Sequence, residues 1–209
     1  LAYSTSNYGD QLIDGLRHVS MRNDLKLLLA LTALNGLMGR TVIELLPALS
    51  GQILDGGSTE LAILIVMGGV GSVVGGLVLS RQSADLSRIF FLVCSAMGLS
   101  CLILISFACF TDLNGLSIWV FCLSLVTTVA GTGCQTFLQL RANEAFRGRI
   151  MSLWTMVAMG APSAGAAMLG VGADAAGFQQ IFIASGLIGL ISLLGFYMYR
   201  AAILSASGP

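Results

Sequence analysis

The sequence predicts an all-α membrane protein with six transmembrane helices, and three observations carry that expectation. Of 209 residues, 56% are hydrophobic and only 10% are charged, whereas about a quarter of the residues in a water-soluble domain carry charge. Five stretches, residues 61–80, 89–110, 115–140, 150–173 and 175–199, hold no charged side chain. At about 1.5 Å per residue each is long enough to cross a hydrocarbon core of about 30 Å. A sixth stretch, 25–49, is apolar apart from Lys26, Arg40 and Glu44. All six are continuously apolar rather than alternating over about ten residues, which favours helices over the strands of a barrel.

The elements follow in order. Residues 1–24 form a lead-in, in which 10–21 places Leu12, Leu16 and Val19 on one helical face and Asp14, Arg17 and His18 on another. That pattern predicts an amphipathic helix lying on headgroups, with His18 beside Asp14. The six spans occupy 25–200, joined by short connections near 51–59, 81–88, 111–114, 141–149 and at Asp174, and 201–209 is a tail. The chain opens on Leu1 and a polar stretch, and a longer parent protein is expected.

Orientation follows from the cations. Arg17, Arg22, Lys26, Arg81, Arg88, Arg141, Arg147, Arg149 and Arg200 all fall on one face of a six-span bundle, and the opposite loops carry Asp55, Glu60, Asp112 and Asp174 with no Lys or Arg. The positive-inside rule then makes both termini cytoplasmic. Trp119, Trp154, Tyr197 and Tyr199 lie near span ends and read as headgroup anchors. The net charge is zero, which leaves no basic surface for nucleic acid. The five cysteines sit inside apolar runs without CxxC spacing, so they read as small buried thiols rather than disulfides or metal ligands.

Arg40 and Glu44 are the leading site candidates. Four residues apart on one helix, they share a face, and a charge at mid-bilayer costs about 2.5–3.5 kcal/mol unless it meets a partner or an aqueous cavity. They are either a substrate and proton site or a fixed ion pair. Pro47, one turn on, suits a gate or a helix end. Asn35, Thr127, Thr128, Gln135, Gln139, Gln179 and Gln180 are polar within spans and either line a pathway or bond between helices. Of these, Asn35, Gln135 and Gln139 join the pathway candidates. Small residues recur at Gly68, Ser72 and Gly76, and at Gly71 and Gly75, while Gly160, Pro162 and Gly165 mark the fifth span. These patterns predict close helix packing or helix movement. No HExxH, no Ser with His within a span and no phosphate-binding glycine loop is present, so the chain reads as neither an enzyme nor an ATPase, and neither cofactor nor metal is expected.

These residues resemble the C-terminal six-helix half of a major facilitator superfamily transporter, with closest similarity to the enterobactin-exporter-like efflux permeases. The similarity runs from Asp14-Gly15-Leu16-Arg17 onward. Its most specific pieces are Glu44-Leu45-Leu46-Pro47, Arg147-Gly148-Arg149-Ile150-Met151-Ser152, and the stretch from Gly160 to Gly177 with Pro162, Gly165, Gly170 and Asp174. The loop after the second span is similar to the superfamily's cytoplasmic signature at Gly76 and Arg81, but Ser80 takes the acidic position and Asp85 is displaced.

The resemblance implies a half-bundle with a 3+3 inverted repeat. It also implies alternating access against an N-terminal six-helix half, and proton-coupled export of a small siderophore or drug-like molecule across the bacterial inner membrane. In that scheme Arg81, Asp85, Arg88, Arg141, Arg147 and Arg149 form cytoplasmic loop contacts, to helix ends or to anionic lipid. The expected partners are the lipid bilayer, the N-terminal half and the small-molecule substrate. The alternatives are a complete six-span channel or permease subunit acting as an oligomer, and a membrane scaffold without transport.

Overall fold

The computed structural model describes residues 23–54, 57–82, 86–110, 112–142, 144 and 146–206; of 23, 24 and 199–206 it gives the backbone. The expected amphipathic helix with His18, the loop residues Asp55 and Asp85, and the last three residues lie outside the described residues. Every regular element among the described residues is helical. Helix α1 (Asn23–Asn35), a π-helical segment (Gly36–Arg40) and α2 (Thr41–Ile53) form the first span. The others are α3 (Ser58–Ser80), α4 (Leu86–Ile105) with a 3-10 turn at Ser106–Cys109, α5 (Leu113–Arg141), α6 (Arg147–Ala176) and α7 (Phe178–Ala206). Six helices are therefore long and apolar enough to cross a membrane.

Local chemistry sets the helix ends. Two acids outside the apolar runs serve helix N-termini, Glu60 from the first turn of α3 and Asp112 from the residue before α5. Glu60 Oε2 accepts from the Gly57 N–H at 2.7 Å, and Asp112 Oδ2 accepts from the Gly115 N–H at 3.2 Å. Asp174, expected between the last two spans, lies instead inside α6, which runs on to Ala176. The break falls at Gly177, whose φ of 84° lies in the region that favours glycine and whose N–H bonds Ala173 O at 2.7 Å. The last helix also continues through Ala206, past the expected start of the tail at 201.

The helices pack in a definite pattern. Helix α3 lies most extensively along α5, α5 along α4, and α4 along α7, while α1, the π segment and α2 pack on α6. The α3–α5 approach depends on Gly71 and Gly75, where an added Cβ meets the backbone of Phe121 and Leu125. Gly68 also faces this contact, 3.2 Å from Ser124 Oγ at its Cβ position, whereas Gly76 has nothing within 4 Å. The close-packed glycines thus run 68–71–75 rather than 68–72–76. Gly160 likewise meets nothing, and the tightest glycine of α6 is Gly165, against Thr41 and Leu37, with Gly172 close to Ile181.

The apolar core is split in two along the bundle axis. One cluster joins Leu25, Leu28 and Leu31 to Ile89, Val93, Phe137, Leu138 and Ile150, all toward the end that carries Lys26, Arg81, Arg88, Arg141, Arg147 and Arg149. The other joins Leu46, Leu49, Leu64, Leu104, Trp119 and Phe182 toward the opposite end. Trp119 is not a headgroup anchor: it is 2% exposed, with its ring 5.0 Å from Phe107 and 5.9 Å from Phe182, centroid to centroid. Its Nε1–H donates to Ile103 O at 2.6 Å, a carbonyl near the end of α4 that also accepts from the Ser106 hydroxyl at 2.8 Å. A ring near a span end satisfies either reading, and here the neighbouring helix end supplies the acceptor.

Candidate functional site

Between the two core clusters lies a polar waist. Gly39 and Thr127 are the central residues of two 29-residue spans, Leu25–Ile53 and Leu113–Arg141, and they touch: a Cβ on Gly39 runs into Thr127 Cγ2. Beside them Asn35 Nδ2 donates to Thr127 O at 3.2 Å. The first span is π-helical here, with the Thr41 N–H reaching back to Gly36 O. The Thr41 hydroxyl lies 2.8 Å from Gly36 O, 3.0 Å from Leu37 O and 3.2 Å from Pro162 O. Its hydrogen bonding thus ties the widened turn both to its own carbonyls and to α6 at the proline. Such single-turn widenings concentrate at functional sites.

A cavity of about 520 Å³ opens beside this turn, within the range of small-molecule sites. Its floor is buried and includes Thr32, Asn35, Gly68, Ser124 and Thr127, and its rim is exposed and includes Arg40, Ile43, Ile65, Gly69 and Thr132. Among the described residues, the first, second, fourth and fifth spans supply the lining, and α4 and α7 supply none of it. Helix α5 contributes Ser124, Thr127, Thr128, Gly131, Thr132 and Gln135, a stripe at intervals of three and four residues that follows one helical face.

Among the described residues, four buried side-chain polar atoms lack a hydrogen-bond partner: Asn35 Oδ1, Ser50 Oγ, Ser124 Oγ and Trp154 Nε1. Three of the four belong to residues lining this cavity. Each such atom costs about 1–3 kcal/mol in a folded interior, and three of them converge around this one cavity.

The site candidates divide accordingly. Arg40, Asn35 and Gln135 line the cavity, as does Ser72. Glu44 is exposed and outside the lining, and among the described residues no ion pair joins it to Arg40. A shared face brings two side chains near each other, but both are long and each here has room to point apart. Gln139 also lies outside the cavity; its carbonyl accepts from Arg147 Nη2 at 3.1 Å. Pro47 is exposed within α2, and the irregularity of the first span sits about two to three turns before it, at Gly36–Arg40. Pro162 and Gly165 are buried where α6 meets that turn. Arg141 lies over the Phe137 ring and Arg149 over Phe146, at 5.7 and 5.6 Å, so these loop cations lean on aromatic faces. Trp154, expected at the headgroups, is half-buried with its ring at the cavity.

Residues 4–207 match the family described as transmembrane secretion effector, of the major facilitator type. The chain belongs to that family. No curated protein and no solved structure matches. The chain is therefore a multi-pass membrane protein of a transporter family.

Proposed function

We propose that this secretion effector chain is the C-terminal six-helix half of a secondary active transporter. It moves a small molecule, siderophore or drug-like, outward across a bacterial inner membrane by alternating access and proton exchange. The observation that carries the reading is the form of the cavity, which has a buried floor at mid-span and an open, exposed rim. A cavity lacking one wall needs a second body to enclose a solute, and an N-terminal six-helix half supplies it. The gathering of Lys26 and the loop arginines at one end supports cytoplasmic termini through the positive-inside rule.

In this reading Arg40 binds the substrate within the cavity, and Glu44, exposed one turn away, exchanges protons with water on the translocation path. The π turn, held by Thr41 against Pro162, is where the first span moves over α6. Substrate-induced proton release from inside-out vesicles containing the full-length transporter tests it. Arg40→Gln lowers the response at every pH, and Glu44→Gln removes its pH dependence. Unchanged release in both variants would sink the proposal.

A further inference from the structure

We infer that the cavity selects small organic anions carrying a hydroxyl or N–H donor away from the charged group. This deepens the transport reading and rests on it for the use of the site, while the selectivity stands on the lining itself. Among the described residues, Arg40 is the sole ionisable one in that lining. Its guanidinium is cationic, and the nearest acid along the helix, Glu44, does not pair with it among the described residues. A single uncompensated cation beside a low-dielectric wall attracts an anion and repels a cation.

The neutral atoms specify the rest. Asn35 is 6% exposed, and its amide orientation is fixed because the group it meets, Thr127 O, can only accept. The unpaired atom is therefore Oδ1, a pure acceptor, which calls for a donor. Trp154 Nε1 is a pure donor and suits a carboxylate or phenolic oxygen. Ser124, 1% exposed, both donates and accepts. Ile43, Leu46 and Ile65 add apolar lining, and Gly68, Gly69 and Gly131 add lining that carries no side chain.

The probe is radiolabelled 4-hydroxybenzoate, binding to the full-length transporter in lipid nanodiscs, with two competitors. Benzoate lacks the donor, and 4-hydroxybenzyltrimethylammonium reverses the charge while keeping the hydroxyl. Saturable binding is expected at up to millimolar probe, with benzoate competing about tenfold more weakly and the cation not competing. Arg40→Gln weakens binding by about tenfold or more, and Arg40→Lys restores most of it. Trp154→Phe, which keeps the ring and removes the donor, weakens binding with an unchanged gel-filtration profile. Competition by the cation equal to that of the parent probe, equal competition by benzoate, or no saturable binding overturns the inference. Uptake by vesicles separates the two readings: binding without uptake removes the transport reading and leaves the selectivity standing. Uptake of the cation in preference to the anion removes the selectivity and leaves transport standing.

Discussion

Replacing Gly75 by alanine forces the two most closely packed helices apart. A Cβ at this position stands 2.5 Å from Leu125 O, whereas C···O contacts settle at about 3.3 Å or more, so α3 has to withdraw by about 0.8 Å. Helix α5 cannot yield easily, because its other faces pack on α4 and on the first span. Overpacking of this kind costs about 1–3 kcal/mol. Alanine also removes glycine's helix penalty of about 1 kcal/mol, which partly masks the loss. Gly76→Ala is the internal control, since it brings the same propensity gain into open space. Unfolding of the two variants by sodium dodecyl sulfate in mixed micelles isolates the packing effect as their difference, expected at about 1–3 kcal/mol against Gly75→Ala. Equal stability of the two would refute the reasoning, and with it the assignment of 68–71–75 as the contact face.

Three further outcomes follow from the same contacts. Thr41→Val removes the hydroxyl beside Gly36 O, Leu37 O and Pro162 O and lowers stability by about 1 kcal/mol in the same micelle assay, whereas Thr41→Ser is near neutral. Trp119→Phe loses the bond to Ile103 O and costs about 1–2 kcal/mol; correspondingly, Trp119 fluorescence in a Trp154→Phe background resists quenching by brominated lipid at every bromine depth. Gly177→Ala strains a residue at φ 84° and costs about 1 kcal/mol or more, read as a drop in thermal midpoint in detergent.

Much of the fold is readable in the chain because lipid imposes one rule: long apolar runs must be helical. The six runs, and Arg40 as a charge set among them, needed no tertiary information. The polar stripe from Ser124 to Gln135 was also legible, for its three-and-four spacing marks a single face of α5; only Thr127, Thr128 and Gln135 stood out as polar side chains. What hydropathy fixes is depth, and what it leaves open is rotation about the helix axis. Trp119 and Trp154 have the right depth for headgroups, yet one faces Ile103 O and the other the cavity. Gly75 and Gly76 are adjacent in sequence and differ only in azimuth, and that difference separates a backbone contact from open space. The π turn at Gly36–Arg40 has no composition signal of its own, because it arises from how Gly36, Gly39 and Thr41 meet α5 and α6. The independent orientation of Arg40 and Glu44 has the same origin: their spacing fixes a shared face, and their side-chain directions depend on neighbours.

If the mid-depth cavity is the substrate site, water and polar reagents reach it. Thr128→Cys lies in its lining and Val171→Cys on an exposed apolar position of α6. In the full-length transporter with its native cysteines replaced, a charged methanethiosulfonate reagent is predicted to label Thr128→Cys, to halt export when it does so, and to be slowed by transported substrate. Labelling of Thr128→Cys no faster than Val171→Cys, or labelling that leaves export intact, would contradict the account.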